Sequence, residues 1–558
     1  MQQHHAPAPD TADILRHAAQ LGWTLTETRA GEIASAAAPA HARLAQAARR
    51  LGFDGDPGDF QAALLQLQAP PPAAGQGSTP PADRAPSGDR PASLTEAAAA
   101  LRSGTQSAEA LTRAALARIE ALNPRLNAFV RIDEAAVLAA ARARDADQAR
   151  GLLVGPLHGV PLAHKDMFYR QGQVSRCGSR IRADWVAPET ASVLQRLDEA
   201  GALQVGTLHM TEFAYGPTGQ NGYLGDARNP WHPERITGGS SSGSAVAVAT
   251  GMVFGALGSD TAGSVRLPAA MCGVVGMKTT YGRVSRAGAM PLSHSLDTVG
   301  PLTRTVADNA LLLSVMAGQD PRDASTPPVA VPDYRALLDG PVQGLRVGLP
   351  RGYFDRDLHP DVAQRLHAMA AQCRDLGMQL VDIDMPDLDE VNAVGFLLTW
   401  GDVIGIHGTW MRERAADYTP QVQGRILTTL AATLPGYLAA QRLRGPMLRE
   451  FDDRVFGRCD LLLAPVLPFP VPRLSDVDTS GGASTIRILN EITRLMRPIN
   501  VLGLPALSLP GGATPDGLPC GLQLIGRPYA EALLYRVGHA LEQALGGFAS
   551  PGPGAHSG

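Results

Sequence analysis

Residues 236–286 read "ITGGSSSGSAVAVATGMVFGALGSDTAGSVRLPAAMCGVVGMKTTYGRVSR", and this stretch decides the fold class. Small side chains dominate it, so its backbone can approach another segment or a ligand closely. The run "AVAVAT" predicts the start of a helix, whose N-terminus offers unpaired N–H groups to an oxygen atom. The strand-like "MVFGAL" then leads into a second Gly/Ser turn, "GSDTAGS". The stretch therefore predicts two serine-bearing turns within alternating elements.

The segments on either side continue this alternation. The apolar runs "GALQVG" and "LRVGLP" predict strands, whereas "PDVAQRLHAMAAQCRDLG" has the spacing of an amphipathic helix. A further helix is predicted in "SAEALTRAALARIEALN", with Ser107 as its N-cap. Strands that alternate with helices are typical of an α/β layered fold.

Proline and glycine divide the chain. Residues 69–92, "APPPAAGQGSTPPADRAPSGDRPA", predict a linker between a helical segment at 1–68 and a main domain at 93–547. The apolar spacing of the small segment predicts three helices, the second interrupted at Pro39. Such a segment is either a dispensable appendage or a piece that needs a partner surface. Residues 548–558 are predicted to be disordered.

Composition excludes several function classes. The net charge of −4 gives no indication of a nucleic-acid surface. Five scattered cysteines without a CxxC pair favour a reducing cytoplasm. The N-terminal residues lack the apolar core of a signal peptide, and no run reaches the roughly 18 apolar residues that span a membrane. No HExxH or Cys/His spacing predicts a metal site.

Lysine is rare in this chain. Only Lys165 and Lys278 are lysines among 49 basic residues, and all the others are arginine. A lysine can lose its proton when it is buried, whereas a guanidinium stays charged. A serine hydroxyl is a weak nucleophile until a base takes its proton, and a desolvated lysine can be that base. The lysine in "GVPLAHKD" is therefore a candidate general base.

A second interpretation uses the match of Gly239–Gly243 to the G-x-S-x-G pattern. This nucleophile elbow requires a strand before the turn, and then Asp and His downstream. The preceding "ARNPWHPERIT" is not a strand, which counts against the elbow. His294 and Asp297 keep the interpretation open.

Three motifs in order carry a family resemblance. The lysine motif "GVPLAHKD", the signature-like "GGSSSGSAVAVATG", and "GSDTAGSVRLPAAMCGVVGMKTTYGRVSR" resemble the amidase signature family of serine hydrolases. The resemblance runs from about Ser93 to residue 528. It implies an α/β/α sandwich around a large mixed sheet, here preceded by the small helical segment. That segment loosely resembles small helical accessory subunits that some family members bind as separate chains.

The resemblance also implies a Ser–cis-Ser–Lys triad. Lys165 would be the base, Ser240 the bridging serine and Ser264 the nucleophile. A cis peptide is expected at the bridging serine, in the 239–240 or the 240–241 bond. The N–H groups of the turn formed by Thr261, Ala262, Gly263 and Ser264 would face the developing oxyanion. The chain departs from the family pattern at Ser242 and at Ala262, where glycines are usual, and neither change removes a catalytic group.

These observations predict an amidase without cofactor or metal that cleaves a C–N bond of a small-molecule amide through an acyl-enzyme on Ser264. One alternative is the glutaminase (A-type) subunit of a tRNA-dependent amidotransferase complex, which channels ammonia to a partner. Another is an esterase or carbamate hydrolase of the same fold, and a third is a non-catalytic interaction protein. No direct nucleic-acid or membrane partner is expected, and a homo-oligomer stays open.

Overall fold

An eleven-stranded mixed sheet lies at the centre of residues 93–551. The computed structural model describes residues 8–52, 55–70 and 93–551. Most of the predicted linker, 71–92, and the end of the predicted tail, 552–558, lie outside the described residues. The strands in chain order are β1 (Phe129–Ile132), β2 (Pro161–Lys165), β3 (Leu203–Leu208), β4 (Gly255–Asp260), β5 (Val275–Lys278), β6 (Thr298–Thr303), β7 (Arg346–Arg351), β8 (Gln379–Asp384), β9 (Leu461–Pro465), β10 (Ala506–Ala513) and β11 (Pro519–Ile525).

The spatial order of the strands is β1-β3-β2-β4-β6-β5-β10-β11-β9-β7-β8. β2 runs parallel to β3 and β4, and β7 runs parallel to β8 and β9, while the remaining pairs are antiparallel. Every residue of β2, β4, β5, β6, β9 and β11 is buried, as expected for strands covered on both faces. The edge strand β8 is mostly accessible and acidic at its end, which protects an open edge.

Helices cover this sheet in an α/β/α sandwich, so the predicted fold class is confirmed. α8 packs against β2, β3, β4 and β6, and α11 packs against β8 and β9. The helices of the described residues are α1 (Thr11–Leu21), α2 (Glu27–Ala48), α3 (Asp59–Gln66), α4 (Leu94–Ser103), α5 (Ala108–Leu126), α6 (Glu134–Ala149), α7 (Ser192–Glu199), α8 (Ser242–Ala249), α9 (Arg266–Cys272), α10 (Val306–Met316), α11 (Pro360–Asp375), α12 (Leu388–Arg414), α13 (Pro420–Leu427), α14 (Leu434–Phe451), α15 (Ala483–Thr493), α16 (Arg497–Val501) and α17 (Glu531–Ala544).

Most local expectations are confirmed. "GALQVG" and "LRVGLP" form β3 and β7, and the amphipathic segment forms α11. Ser107 is the N-cap of α5 and accepts a hydrogen bond from the N–H of Ala110. The strand expected in "MVFGAL" is only half present, because β4 begins at Gly255 and the chain turns at Met252–Phe254.

The small N-terminal segment contains the three predicted helices, α1 to α3. The predicted interruption at Pro39 is wrong, because α2 continues through it. Proline removes one backbone donor from a helix, but packing of an apolar face can offset that cost. Ile33 and Leu44 of α2 are buried, and α2 packs against α12 and α14. The N-terminal helices are thus docked on the main domain through a shared core.

Candidate active site

Lys165 is the last residue of β2 and is completely buried. Its Nζ donates hydrogen bonds to Ser240 Oγ at 2.6 Å and to Ser259 Oγ at 2.9 Å. Both oxygens belong to hydroxyls, which can donate a proton as well as accept one. The structure therefore places the predicted base beside the predicted bridging serine. Ser259, the second partner, was missed in the sequence, because only the pairing of β2 with β4 brings it near.

Burial lowers the pKa of Lys165 to about 7, against the opposing charges of Asp297 and Asp260. Near neutral pH a substantial fraction of this lysine is uncharged. An uncharged Nζ has a lone pair and can receive a proton from Ser240. The arrangement can therefore work as a general base without a histidine.

Ser240 is held by an unusual backbone. The Gly239–Ser240 peptide bond is cis, which resolves the two expected positions in favour of the first. A Cβ on Gly239 would come within 2.8 Å of the Gly216 carbonyl oxygen and of Thr211 Oγ1. Only glycine fits there. The Ser240 carbonyl also accepts a hydrogen bond from the N–H of Thr211 at 3.1 Å.

Ser264 lies in the turn between β4 and α9 and is 7 % exposed, whereas Ser240 and Ser241 are 0 % exposed. Ser264 lines a cavity of about 480 Å³, whereas Ser240 and Ser241 are outside its lining. A backbone hydrogen bond of 3.3 Å joins the Ser241 N–H to the Ser264 carbonyl oxygen and ties the two serine turns together. Among the hydrogen bonds of the described residues, none joins the side chains of Ser240 and Ser264.

Asp260 orders the turn that carries Ser264. Its carboxylate accepts hydrogen bonds from the N–H groups of Gly263 at 2.8 Å and Val265 at 3.2 Å. It also pairs with Arg266 at 3.0 Å, and Asn500 Nδ2 donates to it at 2.9 Å. Burial alone would raise the pKa of Asp260, but the charge of Arg266 and the hydrogen bonds hold it well below its usual value. The carboxylate is thus a fixed anion that positions the turn.

The predicted oxyanion residues divide into two groups. Thr261 and Ala262 line the cavity with Ser264. The Gly263 N–H already donates to Asp260 in this structure, and Gly263 has φ +110°. Thr261 Oγ1 donates to Asp297 Oδ1 at 2.5 Å. The turn thus presents Thr261 and Ala262 to a ligand, while Gly263 shapes the backbone.

The cavity wall is strongly basic. Among the described residues, its lining includes Arg43, Arg356, Arg425 and Arg497, but only one carboxylate, Asp389. Asp389 makes two hydrogen bonds of 3.0 Å with Arg356 at the rim. This concentration of positive charge was missed in the sequence, because arginine is used throughout the chain and gives no local signal.

Arg425 and Arg497 lie deeper than the pair at the rim. Arg497 donates to Asn392 Oδ1 and to Thr493 Oγ1, each at 2.7 Å. The Arg425 guanidinium lies over the Tyr215 ring at 4.3 Å. Burial, together with the charge of nearby Arg425, lowers the pKa of Arg497 to about 10. Within the described part of the chain neither guanidinium pairs with a carboxylate.

The nucleophile elbow finds no support in this geometry. Ser241, the serine of that pattern, is completely buried and its Oγ donates to the Ser259 carbonyl oxygen at 3.3 Å. His294 is exposed at the surface. Asp297 accepts hydrogen bonds from the N–H groups of Leu292 and Ser293 and from Thr261, so it supports loops rather than a histidine.

The other lysine has a different environment. Lys278 Nζ donates to the carbonyl oxygens of Leu504 at 2.7 Å and Thr279 at 3.0 Å.

Within residues 8–52, 55–70 and 93–551, no group of three or more His, Cys, Asp or Glu is arranged to hold a metal ion. Over the same residues, no helix is both long enough and apolar enough to cross a bilayer.

Comparisons with known proteins agree with this architecture. The family model described as Amidase matches residues 110–535. The A-type subunit of the glutamyl-tRNA(Gln) amidotransferase of Moorella thermoacetica is 41% identical over 461 residues, covering 78% of this chain and 93% of the relative. The corresponding protein of Chloroflexus aurantiacus is also 41% identical, over 477 residues, 81% of this chain and 96% of the relative.

Solved structures extend the comparison. A chain from a vestigial protein complex related to the origins of an s-triazine catabolic enzyme is 34% identical, with TM-score 0.75, covering 83% of this chain and 100% of that chain. The peptide amidase of Stenotrophomonas maltophilia is 30% identical, with TM-score 0.71, covering 82% of this chain and 98% of that chain. Residues 8–70 precede the segment that the family model matches.

Proposed function

The chain belongs to the amidase family, and from this premise we propose that it hydrolyses an amide C–N bond through an acyl-enzyme on Ser264. The observation that carries the proposal is the 2.6 Å hydrogen bond between Lys165 Nζ and Ser240 Oγ inside the protein. A buried lysine beside a hydroxyl, next to a cavity-lining serine, is the equipment that a lysine-based serine hydrolase requires.

In this mechanism the proton moves along the triad. Neutral Lys165 takes the proton of Ser240, and Ser240 Oγ takes the proton of Ser264 as Ser264 Oγ attacks the amide carbonyl carbon. The C–N bond then breaks, and Ser240 returns a proton to the leaving amine. Water attacks the acyl-enzyme by the same relay and releases the carboxylic acid. No cofactor takes part in these steps.

The developing oxyanion requires hydrogen-bond donors fixed before the reaction. The N–H groups of Thr261 and Ala262 are the proposed donors, because both residues line the cavity with Ser264. The Gly263 N–H is engaged with Asp260 and holds the turn in shape. The alanine at position 262, where the family uses glycine, narrows the cavity by one methyl group.

The charge of the cavity narrows the substrate class. Arg425 and Arg497, which have no carboxylate partner among the residues that the structure describes, lie in the same cavity as Ser264. Like charges enclosed together destabilise each other, and a bound carboxylate offsets that cost. We therefore propose an amide that also carries a carboxylate. An ester or carbamate of the same shape would react by the same relay.

The test is turnover and active-site labelling of wild type and of Ser264→Ala. Wild type should release ammonia or amine from amides that carry a carboxylate and should react with a fluorophosphonate probe at Ser264. Ser264→Ala should lose both while keeping its melting temperature, because one hydroxyl at the cavity wall contributes little to packing. Ser240→Ala should be more damaging than Ser241→Ala, which only removes hydrogen bonds to Ser259. Normal turnover by folded Ser264→Ala would refute the assignment.

A second candidate function is that of the A-type component of an amidotransferase, which releases ammonia from glutamine for a partner. The relatives at 41% identity carry this name, and they favour it over a self-sufficient amidase. In that case partner proteins are required for full activity. Glutamine carries an ammonium group as well as a carboxylate, and a carboxylate of the protein would be the natural partner of that ammonium group. Asp389, the one carboxylate among the described lining residues, is already bonded to Arg356.

A comparison of glutamine with des-amino analogues separates the two candidates. Preference of the purified chain for glutamine, and stimulation by an added partner, would support the amidotransferase component. Efficient turnover of anionic amides without any partner would support the amidase. The cytoplasmic location and a homo-oligomeric state stay predictions.

A further inference from the structure

One wall of the cavity comes from the N-terminal helices. Six residues of α2 line the same cavity as Ser264 and Thr261: Ile33, Ala36, Ala37, Pro39, Ala40 and Arg43. α2 lies before the residues that the family model matches, 110–535. A substrate that fills the cavity therefore meets a surface that the family's shared domain does not contain.

Polar contacts fix α2 in this position at several points along its length. Arg43 Nη1 pairs with Asp387 at 2.9 Å, and Arg50, just beyond the helix, pairs with Glu450 at 3.0 Å. His41 Nε2 lies 2.9 Å from the carbonyl oxygen of Ala431. Near the start of the helix, Arg29 donates to the carbonyl oxygen of Gly481 at 2.6 Å.

Apolar packing completes the attachment. Ala37, Leu44 and Ala47 are buried, and the His41 ring lies 6.1 Å from the ring of Trp400 on α12, another residue of the cavity wall. Because buried side chains and both ends of α2 make contacts, the orientation of this helix is defined. The surface that α2 presents to the cavity is thus a fixed part of the site.

Small side chains form that surface. The lining residues of α2 include three alanines and a proline, and these leave space that longer side chains would occupy. Ala36 is exposed, so enlarging it projects into the cavity without disturbing the buried contacts of the helix. Ala38 is also exposed, two residues further along, but it is outside the lining.

We infer that α2 is a wall of the substrate site, and that Ala36 sets the size of the amide substrate the site accepts. This inference rests on the proposed function, because it requires that the cavity bind the amide. The N-terminal helices are then a specificity element and not an appendage.

The experiment compares the full chain carrying Ala36→Phe with the matched control Ala38→Phe. For each variant, kcat/KM is measured on a small aliphatic amide and on a bulky aryl or long-chain amide, each carrying a carboxylate and each hydrolysed by wild type. Ala36→Phe should reduce kcat/KM for the bulky amide by at least about 10-fold, because a filled hydrophobic pocket discriminates on this scale. The small amide should react at close to the wild-type rate, and Ala38→Phe should resemble wild type on both.

Ala36→Leu gives a graded comparison and should show an intermediate loss on the bulky amide. Melting temperatures identify any variant that fails to fold. If Ala36→Phe and Ala38→Phe behave equally on a bulky amide that wild type hydrolyses, the inference that α2 forms a wall of the substrate site is wrong, but the proposed function is unaffected. If wild type hydrolyses no amide at all, the proposed function and the wall both fall.

Discussion

Lys165 and Lys278 are both buried, and burial lowers the pKa of each to about 7, yet their partners differ. Lys278 donates to two carbonyl oxygens, which have no proton to return. Lys165 donates to two hydroxyls, and either hydroxyl can give its proton to an uncharged Nζ. Of the two lysines, only Lys165 is placed to act as a base. The sequence predicts Lys165 as the candidate base, and the partners of the two lysines agree with that choice.

We expect Lys165→Arg to inactivate the enzyme almost as fully as Lys165→Ala. If position 165 required only a positive charge, arginine would supply it. A guanidinium keeps its proton at any working pH, so it cannot accept one from Ser240. General-base catalysis contributes about 10²–10⁴-fold, and the loss should be at least of that order. The measurement is the acylation rate of each variant with one activated ester or amide.

The pH dependence of the acylation rate tests whether Lys165 acts in its uncharged form. The pKa of about 7 for Lys165 means that the protonated form, which has no lone pair to accept a proton, dominates at lower pH. The wild-type acylation rate should therefore rise as pH rises through about 7 and level off above it. A Lys165→Arg variant that keeps roughly a tenth or more of the wild-type rate would make Lys165 a structural cation.

At the scale of single elements, local pattern predicts well wherever one segment decides its own structure. β3, β7, α5 and α11 follow from apolar spacing and caps that lie within each segment. The interruption expected at Pro39 fails because the packing of α2 on α12 and α14 outweighs the local cost of proline. A local pattern contains no information about a contact with helices that lie far away in the chain.

In the candidate site, too, residues within local motifs can be predicted from the sequence, whereas residues brought in by non-local packing cannot. Lys165, Ser240 and Ser264 lie in motifs that can be recognised in the sequence, and the structure brings the first two within 2.6 Å. Asn500 and Arg497 lie in α16, whose sequence contains no recognisable motif. These residues reach the site only because α16 packs against α12, and that contact is non-local.

Arg425 of α13 and Arg497 of α16 line the same cavity, and this supports a prediction about charge. Arg497→Met should raise KM for a carboxylate-bearing amide by about 10–100-fold, because hydrogen bonds to charged groups contribute about 1.5–3 kcal/mol. A neutral amide of similar size is the control, and its KM should change little. Steady-state kinetics on the two substrates provide the measurement. An equal effect on both substrates would make Arg497 a structural support for Asn392 and Thr493.

At the scale of the whole molecule, the N-terminal helices and the main domain share both a core and a cavity. Phe60 of α3 is buried and lies under the Arg444 guanidinium at 3.4 Å, and Asp59 makes two short hydrogen bonds with Arg449. α3 thus packs against α14, and α2 packs against both α12 and α14. The sequence left two interpretations of residues 1–68 open, and the packing favours the one that needs a partner surface, here supplied by the same chain.

A chain that begins at Ser93 should therefore fold less stably and lose part of its cavity. Removal of the first 92 residues exposes the apolar surface that α2 and α3 cover, so we expect a lower melting temperature and more self-association. Lys165, Ser240 and Ser264 all remain, so a small fluorophosphonate probe should still label Ser264. Turnover of bulky amides should fall more than turnover of small ones, because the missing wall no longer orients them.

Residues 1–70 added as a separate chain should restore stability and turnover. The same segment with Arg43→Glu and Arg50→Glu should restore them poorly, since both changes oppose the charges of Asp387 and Glu450. An unaltered melting temperature and unaltered turnover of the shortened chain would show that the N-terminal helices are dispensable, whereas complete loss of labelling in a folded shortened chain would show that the proton relay itself depends on them.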